Sequence, residues 1–288
     1  MKTAVYFETW AARWTSDASS SDLAKLEVGI INLAFADPKS TYRKGQNTFD
    51  NTGLQFSWDF KVVKEAIKLA QDRGVKIMLS VGGASYKFDY YNAENIAALS
   101  SDLGCNGIDI DWEPENGDPQ ALCDIIVETK KYCQGLLSFA GWSTGCFSPQ
   151  AGDPYRGMSI KAITTCYSQI DWINIMAYDA GKDFDVKKCY ESYTKLFSKR
   201  LYLGFEVGAQ GWGDALLKLE DVDAVCKYLK PGDGCFVWAY YKSGLPNCVQ
   251  VINRFKNGQW QKIPNEPSKK FSFKCTCTQC GKSLEFNG

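Results

Sequence analysis

Asp109, Asp111 and Glu113 occupy alternate positions in the stretch Asn106-Gly107-Ile108-Asp109-Ile110-Asp111-Trp112-Glu113. In a β-strand successive side chains point to opposite faces, so these three carboxylates form one acidic row, spread over roughly 13 Å at the usual rise per residue. Like charges close together on an otherwise apolar strand repel one another and resist desolvation. Rows of this kind persist where proton transfer needs acids whose pKa values are pushed apart. The chain contains no histidine. That removes serine–histidine and cysteine–histidine nucleophiles and histidine-ligated metals. A general acid or base must then be Asp, Glu, Tyr, Lys or Cys. Pairing of the row with buried cations is the structural alternative, but only Lys87 and Lys242 lie near the C-terminal ends of candidate strands, both in loops.

The elements that carry this row alternate regularly. Apolar, β-branched runs at 4–8, 29–36, 76–81, 107–112, 136–140, 172–178, 201–207 and 235–240 read as strands. Helical patterns lie between them at 21–27, 60–72, 93–103, 121–133, 160–166, 187–197, 219–229 and 248–255. Val62, Val63, Ala66, Ile67 and Ala70 show the helical spacing in the second. Strict strand–helix alternation implies a parallel sheet, and eight units close into a single α/β (β/α)8 TIM barrel. Active sites in such barrels sit at the C-terminal ends of the strands, which puts Glu113 at the mouth, Asp111 deeper and Asp109 deepest.

A chain of 288 residues suits one such barrel. The 33 basic and 33 acidic residues balance, which argues against nucleic acid or an anionic membrane surface as partner, and no window is apolar enough to span a membrane. Twelve cysteines read as disulfides in an oxidising compartment, hence a disulfide-stabilised barrel; a metal site at Cys275, Cys277 and Cys280 is the alternative. The start, Met1 to Phe7, carries no apolar targeting segment, and the cysteine count favours the mature form of a secreted protein. Residues 1–256 are expected to form the barrel. Residues 257–288, polar and with three closely spaced cysteines, are expected to form a Cys-rich tail packed on it.

The acidic segment resembles the DxxDxDxE signature of glycoside hydrolase family 18, the chitinases and their relatives. Ser80-Val81-Gly82-Gly83 resembles the family's SxGG motif, and Met176-Ala177-Tyr178-Asp179 its MxYD motif. Trp238 falls where the family places a tryptophan under the scissile sugar, and Tyr6-Phe7 and Ala34-Phe35-Ala36 resemble its first two strands. The likeness runs in order from residue 4 to about 244. It implies an endo-acting chitinase hydrolysing β-1,4-linked N-acetylglucosamine polymers with retention, without cofactor or metal, and acting as a monomer on chitin or chito-oligosaccharides. Glycosidases of most families use two carboxylates, whereas in the family this chain resembles the substrate's own 2-acetamido oxygen is the nucleophile. By resemblance Glu113 is the general acid and then base, Asp111 orients the acetamido N–H, Asp109 supports Asp111, and Tyr178 donates to the acetamido oxygen. Trp238, Met176, Asp179, Tyr6, Phe35 and Gly83 would bind or enclose the sugar.

The three acids are expected to titrate as a coupled set, with Glu113 raised by the neighbouring negative charge. Asn106 departs from the family's Asp; being odd-spaced from Asp109 it should face away from the row, and a tuning or structural role is expected. The short stretch from Gly208 to Leu217 leaves no room for the α+β insertion of many relatives, so an open cleft suited to internal cutting is expected. Trp10, Trp14, Tyr86, Phe88, Tyr90, Tyr91, Trp142, Trp212 and Tyr241 could extend it, or pack internally. The alternatives are an endo-β-N-acetylglucosaminidase acting on N-glycans, and a chitin-binding, lectin-like relative that has lost activity; the presence of Glu113 counts against the second.

Overall fold

The computed structural model describes residues 2–114, 117–151, 153–181, 184–207, 219–241 and 248–256, and the backbone of 272–276 and 283–287. Eight parallel strands close into a barrel in sequence order: β1 (Lys2–Glu8), β2 (Ile30–Ala36), β3 (Lys76–Gly82), β4 (Gly107–Asp111), β5 (Leu136–Trp142), β6 (Trp172–Met176), β7 (Arg200–Glu206) and β8 (Gly234–Trp238), with β8 pairing back onto β1. A helix follows each strand: α1 (Asp22–Lys25), α2 (Phe60–Asp72), α3 (Ala93–Leu103), α4 (Pro119–Tyr132), α5 (Met158–Cys166), α6 (Val186–Leu196), α7 (Leu219–Cys226) and α8 (Cys248–Lys256). The alternation expected from the sequence is therefore the (β/α)8 barrel.

Burial explains the two layers. Helix α2 turns Phe60, Val63, Ala66, Ile67 and Ala70 to the sheet and leaves its lysines in water. Helix α4 starts at Pro119, where a missing N–H costs nothing, with the Asp118 carboxylate accepting from the Gln120 N–H, and it ends on Lys130 and Lys131. Inside the barrel, even-numbered residues of seven strands belong to one apolar cluster: Ala4, Tyr6, Ile30, Ala34, Met78, Ala140, Trp172, Met176, Tyr202 and Phe236. Inward-facing residues thus follow the period-2 alternation, and the acid row of β4 shares their face.

Only residues 207–218 separate β7 from α7, so no insertion domain stands there. The cleft-wall expectations on 208–217, including Trp212, fall outside the described residues. A second unit, Gly258–Gly288, contains an antiparallel pair, β9 (Ser272–Thr276) and β10 (Ser283–Asn287). Among the described residues Cys105, Cys123, Cys133, Cys146, Cys166, Cys189, Cys226, Cys235 and Cys248 carry free thiols, so the structure does not show the disulfides expected from the cysteine count. A barrel of this size buries enough apolar surface to hold together without crosslinks. Cys275, Cys277 and Cys280 lie outside the described side chains. No helix among the described residues is long and apolar enough to cross a membrane.

Candidate active site

The β4 ladder ends one residue earlier than the sequence pattern implies, at Asp111; Trp112 and Glu113 continue beyond it. Asp109 and Asp111 are buried at 0% and 4% exposure, and Glu113 is half-buried. In register, Asp109 lies between Ser80 of β3 and Ser138 of β5, and Gly82 lies beside Asp111. Four donors converge on Asp109. Its Oδ2 accepts from the Tyr6 hydroxyl at 2.9 Å and the Ser80 hydroxyl at 2.7 Å; its Oδ1 accepts from Ser138 at 2.6 Å and from Asn174 Nδ2 at 3.0 Å. Each donor is the inward-facing residue of its own strand, β1, β3, β5 and β6. Ser80 belongs to the SxGG-like motif, but Ser138 and Asn174 are site residues that no sequence motif marks.

The row graduates from satisfied to unsatisfied acid. Burial pushes the Asp109 carboxyl up, while its four hydrogen bonds pull the other way and favour the charged form. Asp111 has no such shell. Its Oδ1 is buried without a hydrogen-bond partner, and burial, then Glu113 and Asp109, hold its pKa well above the carboxylate range. Glu113 is pushed up to about 7, first by burial and then by the charge of Asp179. The rise matches the expectation; its main cause does not, since desolvation outweighs the neighbouring charge. Tyr178 is driven well above its ordinary value by burial and by Asp111, Glu113, Glu206 and Asp179, so it remains a neutral O–H donor near neutral pH. Glu206, absent from the sequence-based site, ends β7 opposite Trp238.

The remaining site residues meet around this row. Trp238 ends β8 and stacks on Phe35 with centroids 5.5 Å apart; Tyr6 meets Trp238 edge-on at 5.8 Å. The Ala34–Phe35 and Trp238–Ala239 peptide bonds are cis. Tyr6 itself is 2% exposed and lies beneath the row, its hydroxyl committed to Asp109. Met176 is buried at the end of β6, and Asp179 follows Tyr178 in a left-handed conformation (φ 52°), exposed. Gly82 and Gly83 have φ of 108° and 73°. A Cβ on Gly82 would stand 2.1 Å from the Asp111 carbonyl oxygen, and one on Gly83 would stand 2.6 Å from the Phe35 ring. Only glycine lets the end of β3 pass so close to both the acid row and the aromatic floor. Of the loop aromatics, Trp10, Trp14 and Tyr90 are exposed, and Trp10 approaches Phe35 at 6.4 Å. Tyr86, Tyr91 and Tyr241 spend their hydroxyls on Gly53, Thr129 and Asp22, and Trp142 stacks on Tyr155. Phe88 packs on Tyr91.

Asn106 faces away from the row, as its spacing requires. Its Oδ1 accepts from the Ile77 N–H at 2.8 Å and from Gln71 Nε2 at 3.0 Å, joining β4 to β3 at the floor of the barrel. Asp171 does the same for the Leu137 N–H at 2.8 Å, and Asp233 for the Leu201 N–H at 2.9 Å. The position asks for an acceptor oxygen, which an amide supplies as well as a carboxylate.

A buried row of graded acids at the mouth of a (β/α)8 barrel defines the class of site, and sequence comparison defines the family. Residues 2–274 match the family model of Glycosyl hydrolases family 18, and the chain belongs to that family. Among curated relatives are "Chitinase 1" of Aphanocladium album, 24% identical over 204 residues, and "Endochitinase 1" of Metarhizium anisopliae, 24% identical over 206. Each alignment covers 61% of this chain and 47% of the relative, so the chain spans about half the length of the curated relatives it matches. Among solved structures, a chitinase from Pseudoalteromonas aurantia superposes with a TM-score of 0.66 at 18% identity, covering 89% of this chain and 99% of that one. A xylanase and alpha-amylase inhibitor protein from Scadoxus multiflorus superposes with a TM-score of 0.60 at 16% identity, covering 89% and 98%. At such identities these likenesses establish the fold alone.

Proposed function

We propose that this chain is an endo-acting chitinase that hydrolyses β-1,4-linked N-acetylglucosamine polymers with retention, using the substrate's acetamido group as nucleophile. The observation that carries this reading is the pairing of a Glu113 carboxyl raised to about 7 with an Asp111 oxygen that is buried and accepts no hydrogen bond. A protonated Glu113 donates to the glycosidic oxygen as the bond to the anomeric carbon breaks. The acetamido oxygen attacks that carbon and closes an oxazolinium ring. Asp111 accepts from the acetamido N–H, which gains positive character, and the Tyr178 hydroxyl holds the acetamido oxygen in place. Glu113, now a carboxylate, takes a proton from water as the water opens the ring with overall retention. Asp109, anchored by four donors, supplies fixed negative charge beneath Asp111. Trp238, with Phe35 stacked beside it, offers an apolar face to the sugar ring, within a pocket completed by Met176, Asp179 and Gly83.

The short β7–α7 connection supports an open cleft and internal cutting. In this reading residues 1–256 are the catalytic unit and 257–288 a Cys-rich tail. The protein acts as a secreted monomer on chitin or its oligosaccharides, with no cofactor. The inhibitor protein sharing this fold is a reminder that the barrel alone does not imply turnover. Incubation with a soluble chito-oligosaccharide and, separately, with a high-mannose glycopeptide tests the proposal. Internal cleavage of the first supports it. Cleavage only of the glycopeptide transfers the same chemistry to N-glycans, and binding without turnover of either substrate overturns the enzymatic reading.

A further inference from the structure

The described cysteines, none of which takes part in the site, are distributed in an unusual way. A buried thiol behaves as a small hydrophobe and has no packing reason to seek another sulfur. Yet each of the nine lies close enough to another cysteine to feel its charge: Cys105 with Cys133, Cys123 with Cys166, Cys146 with Cys189, and Cys226 and Cys248 with Cys235. The members of each group come from separate elements or loops of the barrel wall.

One of these arrangements joins two helices. Cys123 sits in the second turn of α4 and Cys166 ends α5; both are buried, at 1% and 2% exposure. The Cys166 thiol lies 3.9 Å from the Cys123 carbonyl oxygen, and each thiol shifts the other's titration. We propose that Cys123 and Cys166 are the partners of a disulfide that fastens α4 to α5 when the chain folds in an oxidising compartment.

The chemistry needs an external oxidant, and a low-molecular-weight disulfide such as oxidised glutathione suffices. The thiolate of one cysteine attacks it, forming a mixed disulfide and releasing one small thiol. The second cysteine, as thiolate, attacks the protein-side sulfur and releases the other small thiol. Two protein thiols thus lose two protons and two electrons, and the small disulfide is reduced to two thiols. The bond has to form while the helices are docking, because in the folded barrel burial lifts Cys166 to about 11 and leaves little thiolate to react. Once made, it closes the stretch of chain holding β5 and the long connection to α5, and restricts the unfolded state accordingly.

The proposal is independent of the catalytic reading and is tested by refolding the full reduced chain in a glutathione redox buffer. Remaining thiols are then alkylated under denaturing conditions, and the peptides mapped with and without reduction. A linked peptide pair containing Cys123 and Cys166 is expected; full alkylation of both, or linkage of either to another cysteine, overturns the assignment. The variants Cys123→Ala and Cys166→Ala add a second readout. In oxidising buffer each should lower Tm by roughly 5–10 °C, with no further loss in the double variant, and reductant should bring the wild type down to the variants. Equal losses with and without reductant would mean that the thiols only pack. If a variant fails to fold, the peptide map of the wild type decides.

Discussion

The two ends of this barrel use the same kinds of side chain for opposite purposes. At the floor, Asn106, Asp171 and Asp233 each accept a backbone N–H from a neighbouring strand. Their polar atoms are spent on the fold. At the mouth, Asp111 leaves Oδ1 buried and unpartnered, and Glu113 is raised to about 7. Asp109 marks the boundary between the two regimes, deep enough to be fully satisfied by four donors and near enough to act on Asp111. A carboxyl whose hydrogen bonds are complete contributes stability, whereas one kept incomplete costs it, and under the proposed function that cost holds Asp111 ready for a substrate.

Substitutions at the two ends should therefore separate activity from stability. The largest effect is expected from Glu113→Gln. It should lower kcat on a chito-oligosaccharide by about 10²–10⁴-fold, because it removes the proton donor and later base. Its effect on stability has the other sign. The folded carboxyl holds its proton up to about 7 against an ordinary 4.5, so Glu113 adds stability at low pH that is lost as pH rises through about 7. Thermal unfolding at pH 8 should show the Gln variant at least as stable as the parent.

The pH profile carries the next effect. If the acid form of Glu113 is the proton donor, as proposed, kcat/KM should fall about tenfold per unit above pH of about 7, and this limb should be absent from the residual activity of Glu113→Gln. A profile flat to pH 9 would remove Glu113 from the acid's role. At the floor, Asp171→Ala strands the Leu137 N–H and should destabilise the chain by about 1–3 kcal/mol in denaturant titration while leaving kcat unchanged where the protein is folded. A kcat loss exceeding the loss of folded protein would break the division between the ends. Smallest of all, Asn106→Asp keeps the acceptor facing Ile77 and Gln71, and should change stability by less than about 1 kcal/mol and leave kcat within about twofold.

Much of this contrast is legible in the sequence, for reasons that also mark where legibility stops. Alternation along one strand is a local property, so the shared face of Asp109, Asp111 and Glu113 and the opposite face of Asn106 follow from spacing alone. Period changes between strand and helix are local too, and they yield the eight units. The shell of Asp109 is different. Ser138 and Asn174 are visible as polar residues inside apolar strands, but which inward residues share the height of Asp109 depends on strand register around the barrel, and a single sequence does not display it. Spacing points to the wrong main cause for the raised Glu113 for a similar reason, because burial at the mouth depends on loops and neighbouring strands, while charge spacing is read within one segment. Cysteine counting points to a compartment and not to partners; which thiols lie near one another, as Cys123 and Cys166 do, is visible only in three dimensions. Gly82 and Gly83 stand in a motif, and their use, to let β3 pass the Asp111 carbonyl and the Phe35 ring, is plain only in three dimensions.

The central claim is that the mouth supplies the proton and the substrate supplies the nucleophile. It is tested most directly by proton NMR of the anomeric signals in the first minutes of hydrolysis of a soluble chito-oligosaccharide, before mutarotation equilibrates the products. Early accumulation of the β-anomer at the new reducing end is predicted. The α-anomer appearing first would mean direct attack by water on the opposite face, and would contradict the proposed roles of Asp111, Tyr178 and the acetamido group.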